Sequence, residues 1–207
     1  MEPIVKNLVI LGAGGGNDIK QFIHKTPSSE EWNIYGFEPG FDMFLHLEHK
    51  FRNNKNVYLI NAVAYTFDGM IKLYDCGKNQ NNGRSINPLK YTTLSYYKEV
   101  ESVDIVKWLK ENIQKDSYNI LVIDIEGAEY DVIDYLKEND MLSWIDKLYL
   151  EFHGEKIKGF DMNRERSMAN MLIEYYKDNV FIENYHQTDL FVEMNDEVRK
   201  YLNSRKK

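Results

Sequence analysis

The sequence predicts an α/β fold built on a doubly wound, mostly parallel sheet. Three observations carry that expectation. Short apolar runs such as Leu8-Val9-Ile10 and Ile120-Leu121-Val122-Ile123 do not alternate with polar residues, which marks strands covered on both faces. Segments of helical periodicity separate these runs, giving a β-α-β order. The first run ends in a glycine-rich turn that leads straight into a helical pattern.

Taken in order, residues 7–11 form the first strand and 19–25 the first helix. A strand at 33–37, a helix at 42–51 and a strand at 56–64 follow. The next helix spans 103–112, then come a strand at 119–125, a helix at 128–138 and a strand at 147–152. A helix at 164–179 precedes two final strands at 179–183 and 189–193. Only residues 184–188 join that last pair, too few for a helical crossover, so they are expected to be antiparallel. The rhythm breaks at about 67–96. Asp68-Gly69, Cys76-Gly77, Asn82-Gly83 and Asn87-Pro88 are turn signals there, with one short strand at 71–74. This stretch is expected to be an irregular insertion in a single domain spanning 1–207. Long insertions on the ligand side of a sheet commonly shape substrate sites. Arg84, Ser85 and Tyr91 offer hydrogen bonds and an aromatic surface, and are the substrate-binding candidates within it.

The length, 207 residues, suffices for one α/β domain with a substantial core. Twenty-six basic and 33 acidic residues give a net charge of −7, which supports neither a nucleic-acid surface nor an anionic-membrane surface. The single cysteine, Cys76, has no intrachain partner, which fits a reducing compartment. Residues 1–10 do not read as a secretory signal, and no apolar run approaches the ~20 residues that span a bilayer. A cytoplasmic enzyme or binding protein is the expectation.

Four motifs carry chemistry. Gly12-Ala13-Gly14-Gly15-Gly16-Asn17-Asp18 follows the first strand, where glycines let the backbone approach a ligand and a helix N-terminus follows. The dinucleotide fingerprint would need glycine at position 17, which is Asn17, so the strict pyrophosphate form fails. The turn also suits a nucleoside without phosphate, or a purely structural tight turn. Glu38-Pro39 ends the second strand, where a carboxylate can accept hydrogen bonds from both ribose hydroxyls. Asp124, Glu126 and Glu129 follow the fourth strand. Asp124 and Glu126 share a side while the strand persists, and Glu129 falls in the first helical turn, where the dipole favours an acid. Glu151 and His153 end the fifth strand. If the fourth and fifth strands are neighbours, Asp124, Glu126, Glu151 and His153 converge at one rim, where open α/β sheets bind ligands.

These pieces, in this order, resemble the FkbM family of S-adenosylmethionine-dependent methyltransferases, over about residues 8–193. The most specific element is Ile123-Asp124-Ile125-Glu126-Gly127-Ala128-Glu129, which looks like the family's central signature. Phe37-Glu38-Pro39 matches its ribose-binding turn. Asn61-Ala62-Val63-Ala64 followed by Asp68-Gly69 resembles the segment beside the adenine, and Glu151-Phe152-His153 its fifth-strand ending. Two positions depart from the pattern. The family usually has an acid two residues before the first glycine, where this chain has Ile10, and a lysine two before the signature aspartate, where it has Val122. Asn17 or Asp18 would then hold the methionine end of the cofactor. The resemblance implies a Rossmann-like class I methyltransferase with seven strands, the last antiparallel. It also implies S-adenosylmethionine as cofactor, S-adenosylhomocysteine as product, and O-methylation of a sugar, such as a deoxyhexose like rhamnose, or of a small metabolite.

Gly12, Ala13, Gly14, Asn17, Asp18, Glu38, Pro39, Asn61, Ala62 and Asp124 are accordingly the expected cofactor site. Asp124 is the first candidate for the base that activates the hydroxyl and His153 the second, with a pKa suited to neutral pH. Glu126 and Glu151 join the insertion residues as acceptor-binding candidates. A divalent ion held by Asp124, Glu126 or Glu151 is a third route, but no metal-specific ligand spacing is present and no metal site is assigned. Two rivals stand beside this reading: an NAD-dependent oxidoreductase, and a non-catalytic module keeping the fold as an interaction surface.

Overall fold

The computed structural model describes residues 4–76 and 83–182. Six parallel strands form the main sheet: β1 (Lys6–Leu11), β2 (Trp32–Phe37), β3 (Val57–Ile60), β7 (Tyr118–Ile123), β8 (Lys147–Leu150) and β9 (Val180–Ile182). Their spatial order is β3-β2-β1-β7-β8-β9. The chain runs outward from β1 to β3 and then returns to build outward from β7. The order therefore reverses between β1 and β7, and the crevice outside their C-terminal ends is the switch point where such sheets bind ligands.

The apolar runs are double-faced, as their lack of alternation predicts. Val9, Leu11, Leu121 and Ile123 pack in one core cluster with α3 (Ile105–Asn112), α4 (Glu129–Glu138) and α5 (Met162–Tyr176). Leu8, Ile10, Ile120 and Val122 pack on the other face with α1 (Asn17–Lys25) and α2 (Phe41–Phe51). Residues two apart share a face in a strand, so each strand feeds both layers. At the end of the sheet away from the switch point, the Asn33 amide donates to Asn7 and the Asn7 amide to Asn119, at 3.0 and 2.8 Å. These three are cross-strand partners, and shifting any strand by one residue would break the chain of bonds.

Four expectations are corrected. The strand expected at 56–64 is two strands in different sheets, β3 and β4 (Val63–Tyr65). Between them the Asn61 amide donates to the carbonyls of Glu38 and Pro39, at 2.8 and 3.3 Å. A side chain thus takes acceptors beside the end of β2, and the chain bends away. The described part of the insertion carries regular strands. β5 (Gly69–Cys76) pairs antiparallel with β6 (Thr93–Asp104), and β4 joins β6 to complete a second sheet of order β4-β6-β5. Residues 94–99 of β6 are exposed on both faces, so they carry no alternation by which a strand could be read. The helix expected from 103 begins at Ile105, where the Asp104 carboxylate caps it by accepting from the Lys107 N–H at 3.0 Å. The helix expected to reach 179 stops at Tyr176, where Lys177 takes a positive φ of 53°. The antiparallel strand expected at 189–193 lies outside the described residues.

Candidate active site

A cleft of about 540 Å³ opens at the C-terminal ends of β1, β2 and β7. That volume lies within the usual range for small-molecule sites. Its first wall is the glycine turn. Gly12 has φ 85°, and a Cβ there would lie 1.8 Å from the Asp124 carbonyl oxygen, so only glycine lets the ends of β1 and β7 come this close. The Gly12 and Ala13 N–H groups donate to the Phe37 carbonyl, which ties the turn to β2. Gly16, also at positive φ, is the N-cap of α1, and a Cβ there would meet Leu47 and Phe51 of α2 at 2.6 Å. Gly12, Ala13, Gly14, Asn17 and Asp18 all line the cleft. Asp18 is buried in the first turn of α1.

Glu38 and Pro39 form the next wall. The two Glu38 carboxylate oxygens accept from the N–H groups of Gly14, at 2.9 Å, and Gly40, at 2.7 Å. Only 8% of Glu38 is exposed. Burial pushes its carboxyl up to about 7; the two N–H groups and the Arg84 charge pull it back only in part. Ala62 lines the cleft with Val63, Ala64 and Leu73, an apolar stretch beside Glu38. Asn61 does not line it and works from behind, as the bond that fixes the end of β2.

Asp124, Glu126 and Glu151 reach the opposite wall. β7 ends at Ile123, so Asp124 and Glu126 do not share a strand face as the sequence predicts. Glu126 reaches the cleft from a turn, with φ 56°. A non-glycine residue in that region is costly and has to be held. The insertion holds it: Ser85 Oγ donates to the Glu126 carbonyl at 2.7 Å, and the Lys90 ammonium donates to the Glu126 carboxylate. Ser85 is therefore a buried clamp that does not line the cleft. Tyr91 does not line it either: it is 68% exposed, with its N–H donating to the Lys156 carbonyl. Arg84 does line the cleft, but its guanidinium forks onto the Asp42 carboxylate, with one arm at 2.9 Å, and reaches Asp75 at 3.4 Å. These acids raise its already high pKa.

His153 is 1% exposed and lies behind this wall. Its Nδ1 and backbone N–H both face Glu129 Oε1, at 3.3 and 2.7 Å, while Glu129 Oε2 accepts from the Gly127 N–H at 2.8 Å. Burial pushes the His153 pKa down, but the Glu129 hydrogen bond and the charges of Glu129, Glu126 and Asp124 outweigh it, and the net direction is upward. Glu129 and Lys90 are the two site residues the sequence reading left without a role. A first-turn acid is ordinary helix chemistry, and only the apolar neighbours Ala128 and Tyr130 hint that Glu129 is buried. Nothing in the sequence marks Lys90.

The sequence profile of the methyltransferase FkbM domain matches residues 12–207. The chain belongs to the FkbM methyltransferase family. Comparison with curated proteins and with solved structures gives no match. In this methyltransferase the two positions that depart from the expected pattern meet in the sheet. Ile10 and Val122 are cross-strand partners in β1 and β7, on the same face and in the same core cluster. An acid and a lysine at these positions would be neighbours, and here an apolar pair replaces them. Among the described residues no helix is long and apolar enough to cross a membrane.

Proposed function

We propose that the chain is an S-adenosylmethionine-dependent O-methyltransferase acting on a hydroxyl of a sugar, a glycan or a small metabolite. The observation that carries this is the buried Glu38 carboxylate, facing the cleft beside a glycine turn in which Gly12 leaves no room for a Cβ. A carboxylate taken out of water gains most from hydroxyl donors, and a ribose presents two. Gly12, Ala13 and Gly14 supply the backbone approach, and Ala62 to Ala64 with Leu73 give an apolar seat for the base. Asn17 and Asp18 line the cleft where the methionine end would be held, taking over from position 10, whose Ile10 is fully buried and does not line the cleft. Bound there, the cofactor supplies an electrophilic methyl group and leaves as S-adenosylhomocysteine.

The chain's own residues then align the acceptor and take its proton. Asp124 lines the cleft and is the base in this reading, an effect worth roughly 10²–10⁴-fold. His153 is too buried to meet an acceptor directly, so its role is to organise Asp124, Glu126 and Glu151. Glu126, Glu151 and Arg84 are the acceptor contacts. A deoxyhexose such as rhamnose is the first acceptor to try. Ile10 and Val122 pack in the core and do not line the cleft, which weighs against taking them as marks of a non-catalytic module. Family membership favours methyl transfer over hydride transfer. Calorimetric titration tests the reading: S-adenosylhomocysteine should bind and NAD should not. Binding of NAD alone would refute it.

A further inference from the structure

Asp124, Glu126 and His153 bring three ligand-capable atoms within 4.8 Å of one another beside the cleft. Acids alone would be unremarked there; the imidazole is the telling member. Its Nδ1 edge is held by Glu129, and its Nε2 edge is aimed at Asp124 Oδ1 at 3.5 Å and at Glu126 Oε2 and Glu151 Oε1 at 3.4 Å. All three distances exceed the ~2.7–3.2 Å of an N–H···O bond. One N–H cannot serve three oxygens, and among the described residues this buried ring forms no closer hydrogen bond or ion pair on that edge. Two ligand atoms each about 2.1 Å from a shared ion, at a roughly tetrahedral angle, lie about 3.4 Å apart. The second shell also matches, since a metal-bound histidine usually has its other nitrogen fixed by a carboxylate or carbonyl.

We infer that Asp124, Glu126 and His153 form a divalent-cation site, with Glu129 as its positioning residue and Glu151 as an adjacent acid. Two carboxylates and one imidazole at this spacing suit a four-coordinate divalent first-row ion, for which Mn²⁺ serves as the spectroscopic probe. The ligands come from the ends of two strands, so no spacing in the sequence announces them. The ion's role rests on the methyl-transfer reading, although its binding does not. An ion here would hold acceptor oxygens at the cleft wall and lower the pKa of a coordinated hydroxyl. Lys90 opposes the ion: its ammonium donates to the Glu126 carboxylate and to the Gly83 carbonyl.

That opposition makes the test two-sided. Full-length protein stripped with chelator is titrated with Mn²⁺, free ion being read by electron paramagnetic resonance, without cofactor or acceptor. One Mn²⁺ per chain is expected. Asp124→Asn should weaken binding by about tenfold or more, and Glu129→Gln by roughly 10–100-fold. Lys90→Met should tighten it several-fold, a gain that misfolding cannot imitate. Weak binding that is equal in the wild type and all three variants would overturn the site and leave an imidazole-centred ion network. So would a loss of affinity in Lys90→Met. Mn²⁺ binding without S-adenosylhomocysteine binding would keep the metal site and remove the cofactor reading; the converse would do the reverse.

Discussion

The raised pKa of Glu38 makes cofactor binding and stability depend on pH in opposite ways. Its carboxyl moves from 4.5 to about 7 because burial penalises the charge. A carboxyl raised in the folded state binds its proton more tightly there than in the unfolded chain. Stability is therefore greatest below the unfolded pKa and falls as pH rises from about 4.5 to about 7. A rise from 4.5 to about 7 corresponds to roughly 3 kcal/mol. Glu38→Gln cannot ionise, so this slope should vanish. The melting-temperature difference, variant minus wild type, should grow as pH rises from about 5 to 8. At about 2–4 °C per kcal/mol for a chain of this size, the change is roughly 6–12 °C. The groups facing Glu38 are the N–H groups of Gly14 and Gly40, the Arg84 guanidinium and the Asp42 carboxylate. None of these titrates near pH 7 by ordinary reference values. Ribose hydroxyls donate to the ionised form, so S-adenosylhomocysteine should bind more weakly as pH falls below about 7, approaching tenfold per unit. The assay is calorimetric titration across that range in wild type and Glu38→Gln. A pH dependence that survives in Glu38→Gln, or is absent from the wild type, would refute the reasoning.

Gly12→Ala should lose at least about 2 kcal/mol, from its positive φ and the Cβ contact with the Asp124 carbonyl; denaturant unfolding measures this, and a loss under about 0.5 kcal/mol would contradict it. Ile10→Asp should destabilise by about 3–5 kcal/mol, as an unpaired charge in the core does, and Val122→Lys added to it should recover about 1 kcal/mol or more by pairing. Strict additivity of the two substitutions would show that they are not partners.

The sequence made some of this legible and hid the rest for identifiable reasons. Leu8 to Ile10 and Ile120 to Ile123 declare a double-faced sheet because burial on both sides removes alternation. The glycine turn and Glu38 are legible because their chemistry is local: a β1 end, a β2 end and a ligand rim. β6 was hidden because residues 94–99 are exposed on both faces, so polar and aromatic residues occur there without period. Asn61 read as mid-strand because its side-chain bond to Glu38 is a tertiary event. Ser85 and Tyr91 have the right chemistry for sugars, but the first is consumed by the Glu126 turn and the second points to solvent. His153 reads as an exposed strand-end residue. Its burial depends on Glu129, 24 residues earlier, and on acids from two strands. Lys90 gives no signal, since a lysine in a turn-rich stretch is ordinarily solvated.

The central claim is methyl transfer at the rim shared by β7 and β8, with Asp124 taking the acceptor's proton. The most direct test incubates the protein with methyl-labelled S-adenosylmethionine and a panel of sugar acceptors, rhamnosides among them, and counts label in the product. The wild type should form a methyl ether, and Asp124→Asn should form it at least about 10²-fold more slowly at saturating cofactor, with melting temperature nearly unchanged. Full turnover by Asp124→Asn, at saturating cofactor and acceptor, would contradict the assignment.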